Sequence, residues 1–453
     1  MQAPTPAAPP CPPLSGQHRN SFAFTTITKR LPVILAKAVD DLTRTSYALG
    51  RDSATSSDDT VQAKREEAKQ LLSQLGEIRY ELQRDRKLKP IAADHDGDSE
   101  HWNRLLQTHF PDGTWLSTPW LVSECYMYRL VRGVFARSTH WRDHDPFARQ
   151  KQEALQHSAT TVNALVGRFH AILRDAATAD DHMSATAFAE LVNVSLWGNG
   201  TDLSLLPNLN AEQTASLQAA MTSEDAHHHT IANDLPALWE LVAPLREARI
   251  DIILDNAGFE LFCDLLLADW LVQSGRARVV HFHAKQIPWF VSDVIRADFD
   301  WTHRALRELE CFTTLSHHDD LVAMLDRWQS HLSAGRWLLE ADPFWTTPYA
   351  FWHLPSHAPS LWRALQQSSL CIYKGDLNYR KLVYDCMWRP DTPFHEAIGP
   401  LHTAPGAPPL VALRTCKADV VAGLAAGKAE ALSLACPEWM VNGEYAVIQL
   451  SKP

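Results

Sequence analysis

Along the first 240 residues apolar positions recur at helical spacing, and beyond that point they gather into short β-branched runs. From Pro32 to about Leu88 the pattern predicts two helices separated by RDSATSSDDT (51–60), whose Ser, Thr and Asp residues suit a loop and a following N-cap. Further helices are predicted over PWLVSECYMYRLVRGVF (119–135), Asp145–Arg174 and Ala185–Trp197, with almost no strand signal before residue 240. RIDIILD (249–255) and RARVVHFHAK (276–285) then read as strands around a helix-length apolar segment. GRWLLEAD (335–342), SSLCIYKGD (368–376) and PLVALRTCK (409–417) repeat the theme of an apolar run ended by Asp or Lys, and EYAVIQL (444–450) is a last strand. Strands alternating with helices predict an α/β fold, a three-layer α/β/α arrangement of a mostly parallel sheet, with an N-terminal helical domain. The expected organisation is a disordered Pro-rich lead over 1–20, a mainly helical domain over 21–240 and an α/β catalytic domain over 241–453.

In open sheets of this kind ligands gather outside the carboxyl ends of the strands, so the chemistry is expected where each run stops. Asp255 and Asn256 end a buried strand with a carboxylate and a carboxamide oxygen, hard donors suited to Mg²⁺, Mn²⁺ or a similar ion. Gly258 lets the backbone turn tightly, and the helix N-terminus behind it offers N–H groups to a phosphate. An Asx turn with an N-cap is the bland alternative and needs only one of these residues. Asp293, in KQIPWFVSDV (285–294) beyond the neighbouring strand, is the natural third oxygen donor.

Glu260 and Asp264 are four apart on one helical face, so one is expected at the cleft and the other in solvent; Asp269, deeper in the helix, is expected to face water. KGDLNYRK (374–381) places Lys374, Arg380 and Lys381 directly after an apolar strand, where cations would neutralise a bound phosphate, and Arg414 and Lys417 offer a similar pair. Asn199 and Asp202 in SLWGNGTDLS (195–204) form an ordinary Gly-Asn turn on their own. His227, His228 and His229 cannot all point one way on a helix or strand and read as solvated. FWTTPYAFWHLP (344–355) is aromatic enough for a binding wall, but in a chain with sixteen Trp it is expected to pack in the core.

Composition narrows the function classes. With 42 basic and 53 acidic residues the net charge is −11, and no Lys/Arg stripe interleaves with aromatics, so nucleic acid is not an expected partner. Hydrophobic residues are 45% and charged residues 21%, with no apolar run long enough to cross a bilayer, so a soluble protein without a membrane partner is expected. MQAPTPAAPPCPPLSG lacks a basic stretch followed by an apolar one, and a cytoplasmic location is the default expectation. Eight scattered Cys without C-x-x-C or zinc-ligand spacing read as reduced thiols. G-x-S-x-G, a Gly-rich loop ending in G-K-[ST], H-E-x-x-H and G-x-G-x-x-G are all missing from the sequence.

Taken together, SFAFTTITKRLPVIL (21–35), PWLVSECYMYRLVRGVF (119–135), SLWGNGTDLSLL (195–206), DNAGFELFCDLLLADWL (255–271), KQIPWFVSDV (285–294), YKGDLNYRKL (373–382) and RTCK (414–417) resemble the metal-dependent damage-control phosphatases. RTCK matches the R-T-x-K signature of their sugar-phosphate phosphatase subfamily III, also called the acidic-residue methyltransferase family. The resemblance implies a divalent metal held by Asp255, Asn256 and Asp293, with Asp255 and Asp293 catalytic. Glu260, Lys374, Asn199, Asp202, Arg414 and Lys417 join as candidate substrate-binding residues. Mn²⁺, Co²⁺ or Ni²⁺ is the implied metal, with Mg²⁺ also suited, and the implied substrates are sugar phosphates such as fructose 1-phosphate and fructose 6-phosphate. One departure is VYDC after KGDLNYRKL, where a glycine-aspartate pair is expected; Asp385 is kept. Two rival classes are an S-adenosylmethionine-dependent carboxyl (glutamate) methyltransferase, for which no glycine-rich strand-end loop is seen, and a non-enzymatic sugar-phosphate-binding protein. Oligomeric state is not set by the sequence.

Overall fold

Six of the seven strands lie where the apolar runs predict them. The structure, a computed structural model, describes residues 8–52, 59–176, 181–198, 229–309 and 316–453. Its first half is helical: α1 (Phe22–Thr25) passes through a π turn (Thr26–Arg30) into α2 (Leu31–Asp52), against which α3 (Asp59–Gln83) packs. There follow α4 (Ser99–His109), α5 (Trp120–Ala136), α6 (Ala148–His157), α7 (Ala159–Ala176) and α8 (Asp181–Trp197). The single helix predicted over 145–174 is two, because the chain turns at Ser158.

The sheet is built from β1 (Thr230–Asn233), β2 (Ala248–Ile253), β3 (Ala277–His283), β4 (Trp337–Glu340), β5 (Leu370–Lys374), β6 (Leu410–Thr415) and β7 (Ala446–Ser451), in the order β1-β7-β6-β5-β2-β3-β4. All pairings are parallel except β6 with β7. Between the strands run α9 (Leu235–Val242), α10 (Phe259–Gln273), α11 (Arg296–Arg307), α12 (His318–Ser333), α13 (Pro359–Leu365), α14 (Gly375–Leu382) and α15 (Lys428–Ala435). One short strand, β1, falls before residue 240, where the pattern predicts almost none; it pairs only with β7.

Period-two alternation splits each central strand between two apolar cores. On β5, Leu370 and Ile372 join one core and Cys371 and Tyr373 the other; on β6, Val411 and Leu413 oppose Leu410 and Ala412. One core is completed by α7, α8 and α10–α12, the other by the first helices and the Trp-rich segment, where Trp345, Phe351 and Trp352 are buried. A sheet covered on both faces gives the three layers and explains why its central strands read as continuous apolar runs. Among the described residues no helix is long and apolar enough to cross a membrane.

Helix α10 lies inside this sandwich, buried from Phe259 to Leu271. Asp269 is therefore not in water, as its position suggested. Its carboxylate is fully buried and accepts from Arg327 Nε (2.8 Å) and Trp328 Nε1 (2.9 Å), and lies 3.0 Å from His331 Nε2. All three partners come from α12, which covers the face that the sequence alone leaves blank.

Candidate active site

From β2 the chain proceeds outward to β3 and β4, then crosses back to place β5 on the other side of β2. Strand order reverses between β2 and β5, and at such a switch point a crevice opens beyond the carboxyl ends. Asp255 and Asn256 follow β2 there, and Gly375 follows β5. Gly375 has φ +81°, and a Cβ on it would fall 1.8 Å from Asp255 Oδ2 and 2.1 Å from its Cγ. The glycine is thus required twice, for its left-handed backbone and for the carboxylate lying against it.

The segment after β3 folds back onto Asp255 and Asn256. Val294 N donates to Asp255 O (2.8 Å) and Ala257 N to Ser292 O (2.7 Å), a short antiparallel bridge that sets Asn256 opposite Asp293. Asn256 Nδ2 donates to Asp255 Oδ2 (2.9 Å) and Glu260 Oε2 (2.8 Å), and its Oδ1 accepts from Ser292 Oγ. Burial, and then the negative charges of Glu260 and Asp293, hold the Asp255 carboxyl well above the usual carboxylate range. Burial likewise pushes Asp293 up to about 6 against the pull of Lys285. Lys285 itself donates to Leu254 O (2.7 Å) and stands 3.4 Å from Asp293 Oδ2, an oxygen buried without a hydrogen-bond partner.

Crowded buried carboxylates and an orphaned carboxylate oxygen fit a hard divalent cation, with the Asn256 carboxamide oxygen as a further neutral donor. Among the described residues no group of three His, Cys, Asp or Glu side chains is placed to hold a metal ion.

Glu260 lines the cavity, whereas Asp264, one turn on, is neither in solvent nor at the cavity wall. Asp264 Oδ1 accepts from Ser195 Oγ (2.6 Å) and pairs with Lys374 Nζ (2.9 Å). Burial raises the Asp264 carboxyl to about 6, with Lys374 opposing. Lys374 Nζ also donates to Glu260 Oε1 (3.0 Å) and Ser195 O (2.6 Å), so all of its donors are engaged and it sits behind the cavity wall. Arg414 is also one step back. Its donors go to Asp376 Oδ1 (2.8 Å), Val420 O (2.6 Å) and Ala418 O (2.9 Å), shaping the turn that presents Lys417. Asp376 in turn accepts from Lys417 N (3.1 Å). Asn199 and Asp202 lie outside the described residues, as do His227 and His228.

A cavity of about 440 Å³ opens over these strand ends and is lined by Asp255, Asn256, Glu260, Asp293 and Lys417. Of its opposite wall the sequence marks only Arg380. Trp120, Glu124 and Tyr128 stand at i, i+4 and i+8 on one face of α5, and all three line it. Arg380 joins them, donating Nη1 to Glu124 Oε2 (2.7 Å) and Nε to Asp385 Oδ1 (2.8 Å), with its guanidinium 3.5 Å from the Trp120 ring centroid. The spacing of Trp120, Glu124 and Tyr128 was visible in the chain, but helical periodicity does not say which face meets a site.

Comparison with known proteins places the chain in a family. The family model for the damage-control phosphatase ARMT1-like domain matches residues 26–432. The chain is similar to the damage-control phosphatase ARMT1 of Danio rerio, 36% identical over 456 residues with 97% of each chain covered. It is 34% identical to the protein of that name from Homo sapiens over 454 residues, covering 97% of this chain and 98% of that one. A solved structure of a DUF89 family protein from Pyrococcus horikoshii aligns with 97% of this chain and 100% of its own at 13% identity and a TM-score of 0.45. The extent of the family match, together with identity above one third across nearly the whole chain, shows that this protein belongs to the damage-control phosphatase ARMT1-like family.

Proposed function

We propose that the chain is a divalent-metal-dependent phosphatase that hydrolyses phosphomonoesters of small sugars. Family membership supports a phosphatase with a damage-control role toward metabolites. The observation that carries the finer reading is the convergence of Asp255, Asn256, Asp293 and Lys417 on one cavity at the strand-order reversal. Its volume of about 440 Å³ suits a phosphorylated ketose such as fructose 1-phosphate or fructose 6-phosphate.

Asp255, Asn256 Oδ1 and Asp293 would hold the metal, of which Mn²⁺, Co²⁺ and Ni²⁺ are the proposed forms and Mg²⁺ a further one. When bound it supplies Lewis-acid polarisation of a phosphoryl oxygen. Asp255 or Asp293 would orient a water for in-line attack on phosphorus; the bond from phosphorus to the sugar oxygen breaks as the new one forms, a proton of the water ends on the departing sugar oxygen, and Lys417 would offset the charge developing on the equatorial oxygens. Glu260 fixes the carboxamide of Asn256 by accepting from Nδ2, which leaves Oδ1, the acceptor of Ser292 Oγ, as the oxygen that would serve the metal. Lys374 holds Glu260 from behind, and Arg414 holds the Lys417 turn through Asp376. Asn199 and Asp202 are kept as proposed substrate contacts, and the cytoplasm as the proposed location.

Purified protein stripped with a chelator should lose hydrolysis of p-nitrophenyl phosphate and fructose 1-phosphate and regain it with Mn²⁺, Co²⁺ or Ni²⁺. Sugar phosphate bound without turnover under every metal would make the chain a sensor. Consumption of S-adenosylmethionine with methylation of acidic side chains would make it a methyltransferase.

A further inference from the structure

Around the cavity stand five carboxylates and three cations, Arg30, Arg380 and Lys417. A doubly charged phosphate entering so acidic a space needs a cation that is not already neutralised. Arg380 is held by two carboxylates, with Nε and Nη2 on Asp385 (2.8 and 2.9 Å) and Nη1 on Glu124 (2.7 Å). Lys417 lies in the field of Glu260, Asp255 and Asp376. Lys374 and Arg414 do not reach the cavity wall. Arg30 is near enough to Glu124 and Lys417 to act on both through its charge, but alone of the three wall cations its side chain has no hydrogen bond or ion pair among the described residues.

Arg30 is exposed, but the turn that carries it is anchored. It closes the π turn Thr26–Arg30, a widened helical turn of the kind that recurs at functional sites. Ser21 Oγ caps α1 by accepting from Phe24 N (3.1 Å), and Phe22 N donates to Asp419 Oδ2 (3.0 Å). Asp419 lies two residues beyond Lys417, so the turn that carries Arg30 is tied to the loop that carries Lys417. Leu31, the next residue, is fully buried and anchors the turn to the core.

We propose that Arg30 is a substrate-contacting residue whose guanidinium takes phosphoryl oxygens from the helical side of the cavity, while Asp255, Asn256 and Asp293 approach from the strand ends. The proposal rests on the phosphatase reading. A guanidinium presents paired donors that match two oxygens of one phosphate, a geometry an ammonium group does not reproduce. Because the phosphoryl group is common to all substrates, the contribution of Arg30 does not depend on the alcohol.

The test uses the full chain loaded with Mn²⁺ and inorganic phosphate as the probe, with binding read by calorimetry and by competitive inhibition. Arg30→Gln is expected to weaken phosphate binding roughly ten- to hundredfold, the span of a charge-assisted hydrogen bond. kcat/KM for p-nitrophenyl phosphate and fructose 1-phosphate should fall by a common factor, and Arg30→Lys should recover only part of it. Lys29→Gln, an exposed neighbour away from the cavity, should match wild type. Unchanged phosphate affinity in Arg30→Gln, or a loss confined to the sugar ester, overturns the proposal. Wild-type protein that binds no phosphate overturns it as well. Wild-type protein that binds phosphate but hydrolyses no ester rejects the phosphatase reading instead, and the binding comparison still decides the role of Arg30.

Discussion

Gly375→Ala tests the switch-point geometry at its tightest contact. A Cβ there would lie 1.8 Å from Asp255 Oδ2, at a residue whose φ is +81°. Relief to an ordinary contact of about 3.5 Å requires the carboxylate or the β5 end to move by about 1.7 Å. Holding alanine in the left-handed region adds about 1–2 kcal/mol. Gly335→Ala separates the two effects, because Gly335 has φ +67° and a Cβ there would meet nothing within 4 Å. Both variants should lose stability in urea titrations, Gly335→Ala by about 1 kcal/mol and Gly375→Ala by more. Only Gly375→Ala should lose activity, since a misplacement near 1 Å in a catalytic constellation costs on the order of 10²-fold in kcat/KM. Gly375→Ala protein with kcat/KM within about threefold of Gly335→Ala would refute the reasoning, because Asp255 would then tolerate displacement.

Two further outcomes follow from buried charges outside the metal set. Lys374→Met leaves Glu260 and Asp264 buried beside each other without their cation, and should cost about 3–5 kcal/mol in chemical denaturation; Lys374→Met with Asp264→Leu should recover part of it. Asp251, fully buried on β2, has its carboxyl held down to about 2: burial opposes the charge, but Arg249 Nε (2.8 Å) and His283 Nε2 (2.8 Å) outweigh it. A folded pKa below the unfolded value of about 3.9 contributes about 2.5 kcal/mol that is present above pH 4 and lost as pH falls through about 2. Thermal midpoints of the metal-free protein should therefore drop between about pH 4 and 2, and Asp251→Asn should flatten that part of the profile while lowering the midpoint at neutral pH.

Much of the site was readable because strand ends are. The runs ending at Asp255, Lys374 and Thr415 are apolar and terminate abruptly, and parallel strands bring such ends to one edge. Where the reading failed, the deciding contact lay far along the chain. Asp269 looks solvent-facing within DLLLADWL, yet its partners Arg327, Trp328 and His331 come from another helix. Lys374 reads as a phosphate-facing cation until Asp264 and the Ser195 carbonyl are seen to hold it. Arg414 reads the same way, although carbonyls of its own following turn take two of its donors. The strand Thr230–Asn233 is too short to show alternation and gains its identity from pairing with β7 at the sheet edge. The α5 stripe and Arg30 escaped for a different reason: a wall built by a helix carries no local mark, because its pattern is that of any half-buried helix.

The central claim, that Asp255, Asn256 and Asp293 hold the metal on which phosphoester hydrolysis depends, is tested most directly by phosphate release from fructose 1-phosphate by metal-stripped wild-type and Asp255→Ala protein titrated with Mn²⁺. The account predicts saturable activation of the wild type and no activation of Asp255→Ala at any Mn²⁺ concentration at which it stays folded. Equal, metal-independent phosphate release from the two proteins would contradict it.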